Sequence, residues 1–424
     1  MTNHAAHSVV LALLTLLTLS GCSTGHSGRT RAMRSALDEG NPRRALDVLN
    51  RELRVRTDAD LPRSMQNDNA VLVLDRATIQ QSIGQIANSQ RDYEAADKAV
   101  DVLDLAHGTP DVIAKYLFSD SAGRYVAPPH EKLLVNILNL VNYLETNDLS
   151  GARIEARRMS VMARYLRDQE QDPTAALAFG SRLAGFAYEK SGNPEEASRY
   201  YDDAHLSPSS TGTAEAEAGE LLVLVGWGRV PHRIAEHVPV GRALTRAAPF
   251  LGIEDQATAN RLAAQGLVTW VNYPTLAPDV PLGKDPSILV DGHAASLEAV
   301  LDVTAEVRGD WQRIEGAVMA AALSRTMTRA AIGGAIDGIG HTSEDKDVQG
   351  GAALLSLIVQ ISMVAADVPD TRSWETLPAR LGVARVRVAP GKHRVVLDAR
   401  GYHREGDVDV APGGWKLTSM LALR

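Results

Sequence analysis

Cys22 has the most reactive side chain in this sequence, and it is the only cysteine among 424 residues. A single cysteine cannot form an intramolecular disulfide, and a free thiol is a liability in an oxidising compartment unless a modification consumes it. Cys22 directly follows Leu19, Ser20 and Gly21, which end an apolar segment that begins at Val9. The position and isolation of this thiol favour a covalent modification near the N-terminus.

The apolar run at residues 9–19 is too short to cross a bilayer core of about 30 Å as a helix, but it has the length of a signal-peptide core. The tetrapeptide Leu19-Ser20-Gly21-Cys22 resembles the lipobox of bacterial lipoproteins, whose cysteine is diacylated and becomes the new N-terminus. The resemblance implies a signal peptide over residues 1–21 and lipidation of Cys22. The Gly, Ser and Thr residues that follow predict a flexible tether over residues 22–30.

Ser23 stands where lipoproteins retained in the inner membrane of Gram-negative bacteria typically carry aspartate. The resemblance therefore implies an outer-membrane location facing the periplasm, with the N-terminal lipid as the contact to the membrane. Hydrophobic residues make up 45% of the chain, enough for buried cores, and the formal net charge of −8 disfavours broad contact with nucleic acid phosphates. We expect no nucleic-acid partner.

The other residues with catalytic potential do not form a recognised motif. His232, Glu236 and His237 come closest to a zinc-binding helix, but histidines five positions apart point about 140° away from each other on a helix. Pro231 and Pro239 also oppose a helix there. The glycine-rich stretches lack a P-loop lysine, and there is no Gly-x-Ser-x-Gly elbow. We therefore expect no catalytic residue, no metal, no cofactor and no enzymatic activity.

Residues 31–215 have the pattern of helical hairpins, because apolar residues recur at three- and four-residue spacing between short polar turns. Four turn segments share one pattern. The spacing between equivalent positions of successive segments is longer than in a regular tetratricopeptide repeat, which has about 34 residues. The last segment resembles that repeat most closely, and the resemblance implies a divergent solenoid. Its small, aromatic and turn residues stand at the family's packing positions: Gly185, Tyr188, Gly192, Ala197, Tyr201 and Ala204.

A solenoid of helix pairs presents an extended groove that usually holds a partner peptide or protein. We therefore expect residues 31–215 to bind an envelope protein. The alternative is that the stacked helices serve only as a spacer. The sequence does not identify the residues that line the groove.

Residues 216–368 mix strand and helix signals. Residues 294–336 and 350–366 predict two apolar helices. The second is too short and too polar for a membrane span, so we expect a buried core helix. An apolar run with β propensity predicts a strand at residues 221–226, and residues 233–239 have extended character between prolines. Residues 267–273 are another strand candidate.

Residues 369–424 predict a small antiparallel β-sandwich. Alternating apolar and polar residues form strand patterns, and the turns are supplied by Pro390-Gly391 and by Pro412-Gly413-Gly414. The pattern resembles the PEGA-type module of bacterial surface proteins. That resemblance implies a non-catalytic module.

The signature Asp-Thr-Arg-x-Trp-x-x-Leu-Pro occupies residues 370–378. Asp370 can cap a turn, Arg372 can pair with it, and Trp374 can lie against the sheet. We expect a structural hinge between helix and sandwich, with a ligand site as the alternative. The order of lipobox, divergent hairpins and this signature, which ends at Pro378, resembles an uncharacterised family of proteobacterial lipoproteins. That resemblance implies location and architecture but no reaction.

The sequence thus predicts an α+β chain in which a tetratricopeptide-like α-solenoid precedes a mixed α/β region that ends in the small β-sandwich. The predicted function is a lipid-anchored, non-enzymatic envelope scaffold that binds partner proteins through the helical groove. The competing hypothesis is a cell-wall-directed carbohydrate-binding protein or hydrolase with its site in the C-terminal mixed half. That hypothesis requires tryptophans and a carboxylate pair to converge in one cleft.

Overall fold

A computed structural model of the chain describes residues 25–102, 125–168, 174–205, 218–239, 270–341 and 369–424. Helices dominate its N-terminal part and strands its C-terminal part, which agrees with the predicted order of the helical and mixed regions. The lipobox residues Leu19, Ser20, Gly21 and Cys22 lie outside the described residues. The helix predicted at residues 350–366 also lies outside them.

The described helices of the N-terminal part pack as pairs that are consecutive in the chain, and each pair packs against the next. This arrangement agrees with the predicted hairpins. The helices are α1 (His26–Arg29), α2 (Arg31–Asp38), α3 (Pro42–Glu52), α4 (Asn69–Ser82), α5 (Ile86–Ala99), α6 (Pro129–Glu145), α7 (Leu149–Asp168), α8 (Thr174–Lys190) and α9 (Pro194–Asp203).

The turns inside the pairs follow the local sequence. Gly40 and Gly192 have positive φ angles of 75° and 73°, which L residues rarely adopt, and each lies between the two helices of its pair. Asn41 caps the second helix of its pair by accepting a 3.0 Å hydrogen bond from the Arg44 amide. Pro42 supplies a pre-set φ at the start of that helix.

The N-terminal segment differs from the expected flexible tether over residues 22–30. Residues His26–Arg29 form one helical turn, and the side chains of His26 and Thr30 are buried. The Ser27 amide donates a 3.0 Å hydrogen bond to the Thr371 hydroxyl in the C-terminal part. The composition could not reveal this order, because the partners that fix the segment lie more than 300 positions away.

The described strands are β1 (Asp101–Val102), β2 (Val126–Ala127), β3 (Gly219–Trp227), β4 (Arg233–Pro239), β5 (Trp270–Leu276), β6 (Ser287–Val290), β7 (His293–Ala294), β8 (Ala299–Asp302), β9 (Arg380–Val388), β10 (Gly391–Ala399), β11 (Tyr402–Val410) and β12 (Trp415–Ala422). They form two four-stranded sheets, with the orders β12-β3-β9-β8 and β11-β10-β6-β7, and two strand pairs, β4-β5 and β1-β2. The segments predicted at residues 221–226 and 233–239 correspond to β3 and β4. The strand predicted at residues 267–273 overlaps β5, and its first three residues lie outside the described residues.

The sheet that contains β3 lies between the helices and the second sheet. Leu222 and Leu224 of β3 belong to the core shared with the helices, whereas Leu221, Val223 and Val225 belong to the core between the two sheets. Successive side chains of a strand point to opposite faces, so an unbroken apolar run fits a strand that is covered on both faces. The described parts therefore pack as three layers of helices, sheet and sheet.

The C-terminal strands differ from the expected small antiparallel sandwich over residues 369–424, because they also pair with strands of the preceding region. β12 pairs in parallel with β3, and β9 pairs with the other edge of β3 in antiparallel register. β10 pairs with β6, so the second sheet also draws on both regions. The physical reason is that β3 and β6 present backbone groups that must be hydrogen-bonded when buried, and the C-terminal strands supply the partners.

Residues 294–302 differ from the predicted helix. Ala294 ends β7, and Ala299–Asp302 forms β8, in which Ala299 pairs with Val383 of β9. The helical spacing of apolar residues here is overridden by pairing with a neighbouring strand. The helix α10 (Val303–His341) begins directly after β8. None of the described helices combines the length and the hydropathy needed to cross a membrane.

Candidate functional site

The signature segment lies between the helices and the β3 sheet, and residues 371–379 are all buried. This segment has no regular secondary structure before β9, so its backbone groups depend on partners elsewhere. The helices α4 and α6 supply several of these partners. Pro378 packs against Gly226 of β3, where an added Cβ would lie 3.0 Å from the proline Cγ.

Arg372 and Asp370 form the expected ion pair. Nε and Nη2 of Arg372 donate to the two carboxylate oxygens of Asp370 at 2.8 and 2.6 Å, a bidentate geometry. Nη1 of Arg372 donates to the Asn67 carbonyl at 3.2 Å, and the guanidinium lies over the Tyr125 ring. Burial opposes the charge on Asp370, but the bond from Arg372 outweighs burial and lowers the pKa of Asp370.

Trp374 is fully buried, with 0% of its surface exposed. Its indole Nε1 donates to the Thr78 hydroxyl of α4 at 3.0 Å, and its amide donates to Glu131 of α6 at 3.1 Å. Its ring lies 5.8 Å from the Tyr93 ring of α5, measured between centroids. The sequence predicts that Trp374 lies against the sheet, but its hydrogen bonds and its ring contact are with the helices α4, α5 and α6.

The next two residues continue the connection to the helices. Glu375 accepts hydrogen bonds from the Thr30 hydroxyl at 3.0 Å and from Nη1 of Arg34 at 2.5 Å. The Thr376 amide and hydroxyl donate to Oδ1 of Asp75 at 2.9 and 3.0 Å. The signature segment thus joins the helical part and the C-terminal part of the chain through buried hydrogen bonds. Those in which one partner is charged are about twice as strong as bonds between neutral groups.

His26 lies beside this cluster and is 3% exposed. Its Nδ1 lies 3.4 Å from Asp68 and its Nε2 lies 3.9 Å from Glu375, and neither nitrogen forms a hydrogen bond to a described residue. Burial lowers the pKa of His26, but the Asp68 and Glu375 carboxylates outweigh burial and raise it. A protonated His26 would offset the negative charge of this buried cluster.

Asp75 is fully buried, and its Oδ2 accepts no hydrogen bond from a described residue. Burial, followed by the nearby charge of Glu375, raises the pKa of Asp75 to about 8. The carboxyl group therefore holds a proton at neutral pH, because an uncompensated buried anion is costly. A protonated Asp75 still accepts the hydrogen bonds of Thr376 through Oδ1.

His232, Glu236 and His237, the residues closest to a zinc motif, lie at or on a strand. Glu236 and His237 are neighbours on β4, so their side chains point to opposite faces. Burial and the positive charge of Arg34 lower the pKa of His232 to about 3. Across the part of the chain that the structure describes, no group of three His, Cys, Asp or Glu side chains could hold a metal ion.

A pocket lies beside the signature segment, between α6 and α10. Its volume available to water is about 20 Å³. A buried water needs at least about 10–15 Å³ by the same measure, so the pocket has room for about one water molecule. Its polar and aromatic lining residues are His130, Glu131, Arg233, Asp310, Trp311, Ser373 and Trp374.

The charged residues of this pocket already have protein partners. Nδ1 of His130 lies 2.5 Å from Oδ2 of Asp310, and Glu131 accepts hydrogen bonds from the Tyr125 hydroxyl at 2.7 Å and the Trp374 amide at 3.1 Å. Burial lowers the pKa of His130, but Asp310 outweighs burial and raises it. Glu131 and Asp310 are therefore both bound to other residues of the chain and stabilise the fold.

Trp311 and Trp374 thus meet two carboxylates, Glu131 and Asp310, at one pocket, as the carbohydrate hypothesis requires. The geometry does not suit a sugar, however. Trp311 is 7% exposed and Trp374 is 0% exposed, so neither ring offers a stacking face to solvent. A pocket with room for about one water cannot admit a sugar ring.

A second connection between the two parts lies at Arg385 of β9. Its Nη2 donates to Glu189 of α8 and to Glu220 of β3, both at 2.6 Å. The guanidinium also lies over the Phe186 ring, which makes an edge-to-face contact with Trp415 at 5.4 Å between centroids. Burial opposes ionisation of Glu189, but Arg385 outweighs burial and lowers the pKa of Glu189 to about 2.

The residues expected to pack in the manner of a tetratricopeptide repeat come together in the α8–α9 pair. An added Cβ on Gly185 would lie 2.6 Å from the Tyr201 ring, so the glycine permits close approach of the two helices. Tyr188 stacks on Tyr200 with 5.2 Å between centroids. The other expected residues occupy the turn, the buried face and the C-cap of this pair: Gly192, Ala197 and Ala204.

Helix α7 carries an exposed row of apolar side chains. Ile154 is 43% exposed, Val161 is 67% exposed and Tyr165 is 40% exposed. Their spacing places them within about 40° of one another around the helix. Arg157 and Arg164 are also exposed and flank the row on one side. We call these five residues the α7 face; aligned exposed apolar residues often mark an interaction site.

No protein-family model, curated protein or solved structure matches the chain. The resemblances to proteobacterial lipoproteins, to tetratricopeptide repeats and to the PEGA-type module therefore stay predictions from sequence motifs.

Several residues of the connection were not anticipated, although the sequence contains a signal for some of them. Asp75 and Arg76 interrupt the otherwise apolar run of α4, and both are fully buried. Buried charges are rare and are normally paired, so a charge in an apolar helix indicates a polar partner. Arg76 pairs with Asp92 at 2.6 Å, and Asp75 pairs with Thr376. The sequence offers no comparable signal for His26.

Proposed function

We propose that the chain is a lipid-anchored, non-enzymatic adaptor of the bacterial cell envelope that binds partner proteins through its stacked helix pairs. In this proposal the helix pairs act as divergent tetratricopeptide-like repeats of a solenoid. The observation that carries the proposal is the α7 face, which leaves Ile154, Val161 and Tyr165 exposed. The other side of the same helix is packed into the core through Ala152, Ala156, Met159, Ala163 and Leu166.

The signature segment supports an adaptor because its polar groups bind other parts of the same chain. Arg372 donates to the Asn67 carbonyl, Glu375 accepts from Arg34, and Thr376 donates to Asp75. A catalytic acid, base or nucleophile must be free to hydrogen-bond to a substrate or to react with it. Groups that are already used by intramolecular hydrogen bonds instead hold the helices in one orientation on the sheets, as a rigid scaffold requires.

Anchoring is proposed at Cys22, on the outer membrane and facing the periplasm. Support comes from the lipobox sequence and from the ordered segment that begins at His26. Four residues span at most about 14 Å. A lipid on Cys22 would therefore hold His26 and the signature segment next to the membrane surface, without a long tether.

The proposal is tested by cross-linking in intact cells, followed by capture of the chain from the envelope. We expect the wild-type protein in the membrane fraction together with a reproducible protein partner. Cys22→Ser should move the protein to the soluble periplasmic fraction while it stays folded. Capture of no reproducible partner would reject the adaptor, and retention of the Cys22→Ser variant in the membrane would reject the anchor.

A cell-wall carbohydrate-binding protein or hydrolase is the second candidate, and the convergence of Trp311 and Trp374 with Glu131 and Asp310 is the observation in its favour. Calorimetric titration with soluble peptidoglycan fragments separates the two candidates. We expect no binding, because the pocket has room for about one water. Binding that disappears in Trp311→Ala would instead support the carbohydrate site.

A further inference from the structure

The α7 face has a size and shape that fit one helix or extended segment of a partner. Ile154 and Tyr165 are eleven positions apart, which corresponds to about 16 Å along a helix axis. Val161, between them, is the most exposed large apolar side chain in the described part of the chain, at 67%. A row of this length can contact about three turns of a partner helix, the usual footprint of helix-in-groove recognition.

The charge of helix α7 opposes that of the whole protein. The helix contains five arginines and only two carboxylates, whereas the chain has a formal net charge of −8. One of the carboxylates, Glu155, is buried and bound by Arg158 at 2.8 Å. Among the described carboxylates, none forms a salt bridge with Arg157 or Arg164. Arg157 donates to the Tyr188 hydroxyl at 3.4 Å, and the other carboxylate, Asp168, is exposed one turn after Arg164. The border of the apolar row therefore has a net positive charge but no salt bridge to a described carboxylate.

We propose that the α7 face binds an acidic amphipathic segment of a partner protein, a specificity that rests on the adaptor function proposed above. Apolar residues of the segment, repeating at three- and four-residue intervals, would cover Ile154, Val161 and Tyr165. Asp or Glu side chains along one edge of the segment would pair with Arg157 and Arg164. Apolar contact provides the affinity, and the charge pairs fix the orientation and exclude basic partners.

A protein segment fits this face better than an anionic membrane surface does. The Ser160 hydroxyl on α7 bonds to the Tyr200 hydroxyl on α9 at 3.0 Å, so the two helices are neighbours on the arginine side of the face. Glu196 and Asp203 lie one turn before and one turn after Tyr200 on the same side of α9, and both are exposed. Glu196 is paired with Arg199 at 2.6 Å, so Asp203 is the carboxylate that a broad anionic surface would meet and that a single acidic helix can avoid.

Photocross-linking from position 161 tests the proposal in the full-length, membrane-anchored protein. Val161 is replaced by p-benzoylphenylalanine, cells are irradiated, and the adduct is mapped by mass spectrometry. Val300→p-benzoylphenylalanine is the matched control, because Val300 is 50% exposed on β8, away from α7. We expect a protein adduct from position 161 only, mapped to a segment with apolar residues at helical spacing and an excess of Asp and Glu.

Charge reversal then tests the role of the arginines. Arg157→Glu combined with Arg164→Glu should lower the yield of the adduct about tenfold or more, because two attractive pairs become repulsive. Arg51→Glu, an exposed reversal on α3, should leave the yield unchanged. Circular dichroism of each variant establishes that the helices remain folded.

Three outcomes would overturn the proposal: an adduct on a neutral or basic segment, an adduct that survives the double reversal, and no adduct from position 161. A fourth is membrane binding. The Cys22→Ser protein is floated with vesicles of phosphatidylglycerol and phosphatidylethanolamine, and flotation that depends on Arg157 and Arg164 would assign the face to lipid. If any of these occurs while partner capture from the envelope still succeeds, the adaptor function stands and only this face is rejected.

Discussion

The indole Nε1 of Trp374 donates a 3.0 Å hydrogen bond to the hydroxyl of Thr78, which precedes it by 296 positions. The same hydroxyl donates to the Leu74 carbonyl at 3.1 Å and lies 3.2 Å from the Tyr93 hydroxyl. A threonine hydroxyl has one proton and two lone pairs, so Thr78 is fully occupied. Trp374 therefore holds the helical part and the C-terminal part of the chain together. Its contribution to the free energy of unfolding can be measured.

Replacing Trp374 should strongly reduce the free energy of unfolding. Trp374→Ala removes a large buried side chain, and we expect a loss of about 3–5 kcal/mol. Trp374→Phe keeps most of the apolar contact but removes the indole hydrogen bond, so its loss should be about 1–2 kcal/mol. Urea denaturation followed by circular dichroism measures both.

The matched control is a double-mutant cycle with Thr78→Val. If the hydrogen bond carries the effect, the Trp374→Phe and Thr78→Val losses should fall short of additivity by about 1 kcal/mol. Strict additivity, or a Trp374→Ala protein as stable as wild type, would show that the tryptophan does not fasten the two parts.

Asp75 should make the stability of the fold fall as pH rises. Its pKa is raised to about 8 in the folded state, from 3.8. The folded protein thus holds a proton that the unfolded chain releases, and this stabilising effect is lost as pH rises from about 4 to about 8, by at most about 1.4 kcal/mol per pH unit. Asp75→Asn keeps an acceptor for Thr376 and has no proton to lose.

We therefore expect the stability of Asp75→Asn relative to wild type to increase with pH. Urea midpoints measured from about pH 5 to about pH 8 test this expectation. His26 titrates in both proteins, and because Asp75 makes the smallest of the contributions to its raised pKa, most of the His26 effect is common to the two proteins. A difference between the two proteins that does not change with pH would show that Asp75 is ionised in the folded state.

Gly185→Ala should destabilise the α8–α9 pair, because the new Cβ would lie 2.6 Å from the Tyr201 ring. Overpacking of this kind costs about 1–3 kcal/mol. Gly309→Ala in α10 is the control, since nothing lies within 4 Å of its added Cβ, and we expect a gain of about 0.5–1 kcal/mol from helix propensity. Opposite signs in thermal unfolding support the close approach at Gly185, and a stabilised Gly185→Ala protein would contradict it.

Arg385→Gln should weaken the second connection and change its acid sensitivity. The substitution leaves Lys190, which lies 3.0 Å from Glu189 and 2.7 Å from Glu220, as the cation that the two carboxylates still share. Because the cluster is partly exposed, we expect a loss of about 1–3 kcal/mol at neutral pH. The pKa of Glu189 is lowered to about 2 in the folded wild type, so its stabilising effect is present above about pH 4.5 and is lost as pH falls towards 2. Acid titration of stability should therefore be shallower for Arg385→Gln than for wild type, and equal slopes would contradict the assignment.

Local patterns predicted the individual elements well. The Pro-Gly turn at Gly391 separates β9 from β10, as the sequence indicates, because a turn depends on residues that are adjacent in the chain. The helix pair around Gly192 is also visible from the sequence for the same reason. The expected pair of Arg372 with Asp370 required only two neighbouring side chains.

Long-range pairing could not be predicted in the same way. Nothing in β12 shows that it pairs in parallel with β3, and nothing in Ala299–Asp302 shows that the neighbouring β9 converts a helical pattern into β8. The burial of Trp374 among helices and the order at His26 depend on contacts across about three quarters of the chain. Such contacts are decided by the whole fold, so local propensity does not contain them.

The position of β3 between β9 and β12 has a consequence for synthesis. The ribosome completes β3 at Trp227, but both of its partners lie much later in the chain, within residues 380–422. Until β12 (Trp415–Ala422) is complete, an apolar strand keeps an open edge, which invites aggregation. A chain truncated before β12 should therefore be prone to aggregation and degradation, and it should not yield a shorter working protein.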